Sequence, residues 1–449
     1  MTAIQSFAAF TTRMSPPDAA RIAARRCLMD TLGAIVAGGT EMPAVGLART
    51  LPDRGPVRLV PRGRSDVRTA ALINATAAHT VEVDDIFRDG LYHPGVAVIP
   101  AALAVAEAET ADGPRLIDAI IAGYEVSNRI ARAVNPAHYN YWHTTATVGH
   151  FGAAVAAGHI LRLSTTEMGH AMGTVATMAA GLRHAFSAGS MTKPLHAGRA
   201  AEAGVLAALT ARAGITGVAN MLDGARGFGE AMSEDVDWVA AVADLGEVWT
   251  ITQMTQKAHA CCGHNFAALD AIRILTAEHD LTAADISAIE VGGYRATVEI
   301  CGDAYPTTPE GARFSLPYCA AVMALRGTVT PEAFSIAALD DRAIRDLAAR
   351  VTVAEDEEAE AGFPQRRSAL VTVVLADGRR ISHRRLTRKG DPDDPLTDDE
   401  LALKFRDLVA PVLGRVGAGA LARAVHHIEQ MDDVRGLPLQ VTQGVQAAE

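Results

Sequence analysis

Apolar residues recur at helical spacing from about residue 17 to about residue 250, almost without interruption. In DAARIAARRCLMDTLGAIVAGG, one helical stripe ends at a pair of glycines and consists of Ile22, Cys27, Leu28, Leu32 and Ile35. Similar segments lie at about 68–80, 98–109, 115–133, 145–162, 165–182 and 194–213, and no convincing strand alternation separates them. Because only 5% of the residues are aromatic, we expect closely packed helices with a core of Ala, Val, Leu and Ile.

The pattern changes after Cys262. A helix over about 266–278 precedes ISAIEVGGY, whose alternation predicts a strand. Further along, SALVTVVLADGRRISHRRL predicts a β-hairpin that turns at Asp377 and Gly378. The acidic stretch AEDEEAEAG at 354–362 is typical of a solvated loop, and the segment from TDDELALK onward is helical again.

These patterns predict a mainly α-helical protein, and a length of 449 residues favours two domains. We expect an all-helical domain over 1–255 and a smaller, inserted α+β domain over 256–398. Helices over 399–449 are expected to complete the first domain.

The charge and the cysteines narrow the class of protein. A net charge of -11 argues against binding to nucleic acid or to an anionic membrane, since both require a basic face. The N-terminus shows no secretory signal, and no uninterrupted apolar run of about 18 residues is present, so a soluble, cytoplasmic protein is expected. Five cysteines, an odd and scattered set, indicate reduced thiols.

Cationic or titratable side chains precede three predicted helix starts. His143 comes before Thr144, Lys193 precedes Pro194, and Lys257 lies upstream of Asn265. Free N–H groups and the positive end of the helix dipole make such positions suitable for anions. A single residue of this kind is usually a solvated loop residue, and the three form a site only if the fold brings them together.

Acids and a histidine share the stretch HTVEVDDIFRDGLYHPG. Glu82, Asp84 and Asp85 either cap a helix end or orient an imidazole such as His93 and raise its basicity for proton transfer. Together with the lysines, they suggest proton chemistry on a carboxylate substrate.

The stretch KAHACCGHNFAALDA allows three interpretations. Its cysteines and histidines match no zinc spacing, and the chain has no Cys-x-x-Cys, so we expect no metal here. A helix N-terminus beside Lys257 could activate a cysteine as a nucleophile. A thiol that packs or lines a substrate site is the preferred interpretation.

Six ordered blocks resemble the MmgE/PrpD family over nearly the whole chain: LMDTLGAIVAGG, NATAAHTVEVDD, HPGVAVIPAALAVAE, MTKPLHAGRAAEAG, KAHACCGHNFAALDA and RFSLPYCAAVMALRG. The family includes 2-methylcitrate dehydratase, cis-aconitate decarboxylase and iminodisuccinate epimerase. The resemblance implies a helical domain with an α+β lid, usually a homodimer, that requires neither cofactor nor metal.

The resemblance also implies site residues. The expected catalytic set is His143, His93, Asp84, Glu82 and Tyr318, and the expected substrate ligands are Lys193, Lys257, His196, Asp85 and Cys262. Lys257 and Tyr318 are expected on the lid, and Glu82, His93, His143 and Lys193 on the helical base. Three departures are notable: Glu82 replaces an Asp of several members, Ile86 replaces a common Thr, and Cys262 stands where decarboxylase members have His.

The reactions of the family share a C–H bond next to a carboxylate. Removing that proton develops enolate-like charge, which fixed cations must neutralise. His143, or else His93, is expected to be the base, with another His or Tyr318 as the acid. We therefore expect a hydro-lyase acting on a di- or tricarboxylate of the 2-methylcitrate type. An epimerase, then a decarboxylase, then a binding protein without turnover are the alternatives.

Overall fold

A computed structural model describes residues 1–186 and 190–441. It confirms that the protein is mainly α-helical. In chain order, the helices are α1 Ala3–Thr11, α2 Asp18–Gly38, α3 Met42–Thr50, α4 Val67–Thr80, α5 Gly95–Ala108, α6 Gly113–Val134, α7 Thr144–Thr147, α8 Gly149–Ile160, α9 Thr165–Val175, α10 Thr192–Arg212, α11 Phe228–Met232, α12 Trp238–Val242, α13 Phe266–Glu278, α14 Arg295–Cys301, α15 Pro309–Phe314, α16 Leu316–Arg326, α17 Ile336–Leu339, α18 Arg342–Ala348, α19 Glu357–Gly362 and α20 Asp398–His426.

The chain divides into two compact units. Of the described residues, the first contains 1–80, 84–186, 190–255 and 397–441, and the second contains Val81–Val83 and Gln256–Leu396. The expected boundaries, at 255/256 and 398/399, lie beside these divisions. The sequence did not predict that Val81–Val83 group with the second unit, because a segment of three residues is too short to show a periodic pattern.

The first unit is a set of helices packed around α4, α5, α8 and α10. Helix α5, with the sequence GVAVIPAALAVAEA, is buried along nearly its whole length. A helix that is apolar on all sides belongs inside a core, and its many alanines let neighbouring helices approach closely. α5 therefore gives a rigid support to the loop that precedes it.

Helix α20 packs against α2 in the same unit. Its backbone breaks at Gly414, which has a φ of 73° and a ψ of 163°, and Pro411 lies in the preceding turn. By length and composition alone α20 could cross a membrane, but a core helix of a soluble protein passes the same test. The helix therefore carries no argument for a membrane protein.

A four-stranded sheet forms the second unit together with helices α13 to α19. Its strands are β3 Ile286–Gly293, β4 Val351–Glu355, β5 Ala369–Leu375 and β6 Arg380–Arg385, and they lie in the order β4-β3-β5-β6. β3 pairs in parallel with β4 and antiparallel with β5, and β5 and β6 form the predicted hairpin. Gly378, with a φ of 86°, occupies its turn.

Three local predictions were wrong. A two-residue ladder joins β1 Val57–Arg58 to β2 Arg64–Ser65 in the part expected to lack strands. The helix expected over 165–182 ends as α9 at Val175. The acidic stretch at 354–362 ends β4 and then forms α19, since Asp356 caps the Ala359 N–H and the acids of the first turn suit the helix dipole.

Candidate functional site

Asp84 is the centre of a buried cluster in the first unit. Its Oδ2 lies 2.9 Å from Nδ1 of His79, near the end of α4, and 2.8 Å from Nδ1 of His93, just before α5. Nδ1 of His93 also lies 2.9 Å from the carbonyl oxygen of Asp85. Both partners of this nitrogen are acceptors, so Nδ1 carries a proton, and in the neutral ring Nε2 of His93 has the lone pair.

Two further imidazoles adjoin this cluster. The ring of His143 stacks on that of His79 with centroids 5.6 Å apart, and Nδ1 of His143 lies 3.1 Å from Nδ1 of His196. His143 directly precedes α7, and its N–H donates to the carbonyl of Gly181. Gly181 has a φ of 150°, and a Cβ there would lie 2.2 Å from Cβ of Ala146, so glycine is required beside this histidine pair.

Three of these imidazoles, those of His79, His143 and His196, are held neutral. Burial lowers the pKa of His79 to about 4, although Asp84 acts in the opposite direction. Burial, followed by the electrostatic interactions with His79 and Lys193, lowers the pKa of His143 well below its usual value. Burial and Lys193 also lower the pKa of His196. Neutral imidazoles can accept a proton at pH 7, whereas imidazolium ions cannot.

Lys193, near the start of α10, is the cation of this cluster. It is buried, and its charge disfavours protonation of His79, His143 and His196. A buried ammonium beside neutral bases is suited to hold a carboxylate next to them.

Asp85 lies behind the cluster rather than on a binding surface. It is fully buried, its Oδ2 accepts from the hydroxyl of Tyr124 at 2.6 Å, and its Oδ1 accepts from the N–H of Gly95 at 3.0 Å. Burial raises its pKa to about 7. These contacts anchor the loop that carries Asp84 and His93, and they do not support the predicted role of Asp85 as a substrate ligand.

Glu82 and Lys257 form a buried ion pair in the second unit. Nζ of Lys257 lies 3.0 Å from Oε2 of Glu82 and 3.2 Å from its carbonyl oxygen. Glu82 has a φ of 55°, a left-handed conformation that is uncommon for a residue with a side chain. The placement of Glu82 on the helical base was therefore wrong, because it groups with Lys257 instead.

The other polar residues of the KAHACCGHN stretch have separate partners. Nε2 of His259 lies 3.1 Å from Oδ1 of Asp270, and Nδ1 of His264 lies 2.6 Å from the hydroxyl of Tyr294. Cys262 is partly exposed next to them. The two histidines thus do not converge on the cysteine pair.

Tyr318 belongs to the second unit as well. It is buried at the start of α16, and its hydroxyl donates to the carbonyl of Ala333 at 2.6 Å. Burial raises the pKa of Tyr318 to about 12, so the phenol stays protonated at neutral pH. Its proton is engaged in this structure, which makes Tyr318 a weaker acid candidate than the histidines.

His79, Asp84 and His93 also form a group whose possible metal ligand atoms all lie within 4.8 Å of one another. It is the only such group of His, Cys, Asp or Glu found within 1–186 and 190–441. Because Oδ2 of Asp84 accepts from both Nδ1 atoms, a metal would have to displace two hydrogen bonds beside the Lys193 cation. The donor set fits proton transfer better than a cation.

The first unit thus brings together five of the predicted residues: Asp84, His93, His143, Lys193 and His196. His79 was missed, although it lies five residues before Asp84 in a block that carries the resemblance. The helical spacing assigned His79 to α4, and the turn that follows α4 brings Asp84 close to the His79 ring.

Comparison with family models gives two adjacent matches. Residues 2–241 match the MmgE/PrpD N-terminal domain, and residues 259–430 match the MmgE/PrpD C-terminal domain. Together these matches cover nearly the whole chain and agree with the resemblance of the six sequence blocks.

Several curated proteins are similar over most of their length. Cis-aconitate decarboxylase of Homo sapiens is 28% identical over 426 residues, which cover 91% of this chain and 87% of that protein. The Mus musculus protein of the same name is 29% identical, with 83% of this chain and 78% of that protein covered. Cis-aconitate decarboxylase of Aspergillus terreus is 26% identical, with 82% and 80% covered.

Proposed function

Because this chain belongs to the MmgE/PrpD family, we propose that it is a cofactor-independent lyase that acts on a small di- or tricarboxylate. Within that class, we propose a hydro-lyase of the 2-methylcitrate dehydratase type. Its first step is removal of a proton from carbon next to a carboxylate, and its second is loss of a β-hydroxyl group as water.

The observation that carries the proposal is the hydrogen bonding of His93. Asp84 and the Asp85 carbonyl fix the proton on Nδ1, so Nε2 is the basic atom of a partly exposed ring. A carboxylate behind an imidazole also stabilises the imidazolium that forms when the ring takes a proton. The geometry therefore favours His93, rather than His143, as the base.

The cations would supply the electrostatic part of the reaction. Proton removal next to a carboxylate creates a dianion, and a fixed ammonium group lowers the free energy of that charge most strongly where water is excluded. Lys193 is placed for this because it is buried beside three of the imidazoles. Lys257 is also a buried cation, and Glu82 balances its charge in the second unit.

The pair of His143 and His196 is suited to return a proton to the leaving hydroxyl group. Their Nδ1 atoms lie 3.1 Å apart, so one ring donates to the other and a proton can pass between them. His196 is partly exposed, whereas His143 is buried, which offers a path from solvent to the cluster. Base and acid would then be separate imidazoles of one unit.

Decarboxylation is the second candidate, because the relatives named above are cis-aconitate decarboxylases. The same cations and bases could stabilise the carbanion left by loss of CO2 and protonate it. Cys262 stands against this candidate, since the decarboxylase members that the chain resembles have His at that position. The two candidates therefore differ in the group that leaves, water or CO2.

The test is incubation with 2-methylcitrate, citrate and cis-aconitate in D2O, followed by NMR. We expect an unsaturated product that retains every carbon atom, with deuterium next to a carboxylate in the recovered substrate. His93→Gln and Lys193→Ala should each lower kcat/KM by about 100-fold, as expected for loss of a general base or of one electrostatic donor.

His150→Gln is the matched control, because His150 is a buried imidazole of α8 outside the cluster. It should retain most of the activity. Release of CO2 would identify the decarboxylase, and unchanged composition with inverted configuration would identify an epimerase. Full activity in both site variants, without deuterium incorporation, would refute the proposed chemistry.

A further inference from the structure

Four of the five cysteines of the chain come together in the second unit. Cys261 and Cys262 are adjacent, Cys301 ends α14, and Cys319 lies in α16. The side chains interact in two pairs, Cys262 with Cys301 and Cys261 with Cys319. The sequence pattern did not predict this, because the three segments are separated by a strand and several helices.

Cys262 differs from the other three cysteines in its surroundings. It is partly exposed, whereas Cys261, Cys301 and Cys319 are buried. It lies directly before the short helical turn Gly263–Asn265, and the backbone N–H of His264 favours its ionised form. An amide donor at a helix start and a nearby lysine both favour a thiolate.

The charge balance at Cys262 agrees with this geometry. The interaction with Cys301, the His264 N–H and the charge of Lys257 outweigh burial and Glu82, and the pKa of Cys262 falls to about 7. Burial and the neighbouring thiol Cys262 instead raise the pKa of Cys301 well above its usual value. At neutral pH a large fraction of Cys262 is therefore thiolate, next to the protonated thiol of Cys301.

We propose that Cys262 and Cys301 are a peroxide-sensitive thiol pair, in which Cys262 is oxidised first and Cys301 then closes a disulfide bond. Helix α14, which ends at Cys301, packs against the turn Gly263–Asn265, which directly follows Cys262, and the two cysteine side chains interact. A disulfide needs such proximity, since its Cα atoms are usually about 4.4–6.8 Å apart.

The chemistry balances with hydrogen peroxide as the oxidant. The Cys262 thiolate attacks one peroxide oxygen, the O–O bond breaks, and the released hydroxide takes a proton to become water. The sulfur of Cys301 then attacks the sulfenic acid of Cys262. The S–S bond forms as the S–O bond breaks, and the thiol proton leaves with the hydroxide as a second water.

The other thiols are poorer candidates. Burial raises the pKa of Cys261 well above its usual value, so it stays a thiol at neutral pH. Cys319 is buried, and its sulfur interacts with the carbonyl of Ala312. Cys261 and Cys262 are adjacent in the chain, and a disulfide between neighbours would have to distort the backbone that joins them.

The test is mass spectrometry of the full chain after treatment with hydrogen peroxide, alkylation and trypsin digestion without reductant. Residues 258–273 and 296–313 form the tryptic peptides that hold Cys262 and Cys301. We expect a disulfide bond to link these two peptides, and fragmentation of the linked pair should locate that bond at Cys262. Reduction should separate the two peptides. Residues 314–326, with Cys319, should remain unlinked.

Two variants make the result decisive. Cys301→Ser should leave Cys262 as a sulfenic acid that a dimedone probe traps, whereas Cys319→Ser should leave the linkage unchanged. A linkage through Cys261 or Cys319, or no linkage after sulfenic acid has formed at Cys262, would overturn the proposal. Because the readout is a covalent bond, the outcome of this test does not depend on the proposed lyase activity.

Discussion

At the scale of single residues, burial keeps several histidines of this molecule neutral. Burial lowers the pKa of each of His79, His138, His150 and His159 to about 4. The folded state therefore disfavours protons that the unfolded chain, with a usual pKa of 6.5, binds readily. The stabilising contribution of these groups is complete above pH 6.5 and is lost as the pH falls towards 4.

His150→Leu should reduce this acid sensitivity. The variant cannot take up the proton that the unfolded wild-type chain binds at this position. Its free energy of unfolding should fall less between pH 6.5 and pH 4, by roughly 1–3 kcal/mol. Urea denaturation across this pH range measures the difference, and the exposed His279→Leu serves as the control. Parallel pH profiles of His150→Leu and wild type would contradict the prediction.

The predictability of the site also differs from residue to residue. Motif position identified His93, Asp84 and His143 as candidates, because each lies beside a helix start or in an acidic loop, and the structure places all three in one cluster. His79 was missed because helical periodicity assigns it to an ordinary helix end. Glu82 was misplaced because its left-handed backbone turns its side chain towards Lys257, and no local pattern encodes that turn.

At the scale of elements, the start of α5 controls the geometry of the candidate site. Gly95 is its first residue, and its N–H donates to Asp85. A Cβ at this position would lie 2.6 Å from Oγ1 of Thr31 and 2.7 Å from both Oδ1 of Asp85 and the hydroxyl of Tyr124. Because Gly95 has only a hydrogen atom in place of a side chain, α5 can approach the loop that ends in His93.

Gly95→Ala should therefore impair both stability and activity. Relief of the overlap requires the loop to move, so we expect a loss of about 1–3 kcal/mol in unfolding free energy and at least about a 10-fold loss in kcat/KM. Gly46→Ala in α3 is the matched control, since its Cβ would meet only Cε of Met42 at 3.7 Å. That change should stabilise the protein by about 0.5–1 kcal/mol. Equal effects of the two substitutions would argue against a close approach at Gly95.

The secondary-structure elements also differ in how far local sequence signals predict them. The β5–β6 hairpin was predictable because alternation and the Asp377-Gly378 turn are both local signals. The pairing of β3 with β4 was not predictable, because a crossover of several helices separates the two strands and its register depends on distant packing. The acidic stretch at 354–362 was misjudged, since its composition indicated solvent exposure but Asp356 also starts a helix.

At the scale of the whole molecule, two buried lysines contrast with the acidic net charge of the chain. The chain carries a net charge of -11, yet Lys193 and Lys257 are both buried among polar side chains. A buried ammonium group costs desolvation free energy that only a specific partner or ligand offsets. This distribution fits a small anionic substrate better than a polymeric anion such as nucleic acid, which requires an extended basic face.

The last prediction is that the proposed reaction needs no metal ion. His79, Asp84 and His93 could offer three ligand atoms within 4.8 Å, but Asp84 already accepts from both imidazoles, and Lys193 places a like charge nearby. Structural zinc typically binds with about 10–16 kcal/mol, so a bound metal would be retained through purification. Elemental analysis of the purified protein should therefore find less than about 0.1 zinc or iron per chain. Dialysis against a chelator should leave turnover unchanged. Near-stoichiometric metal that His79→Ala abolishes, together with chelator-sensitive turnover, would show that this group holds a cation and would reassign Asp84 from orienting imidazoles to ligating metal.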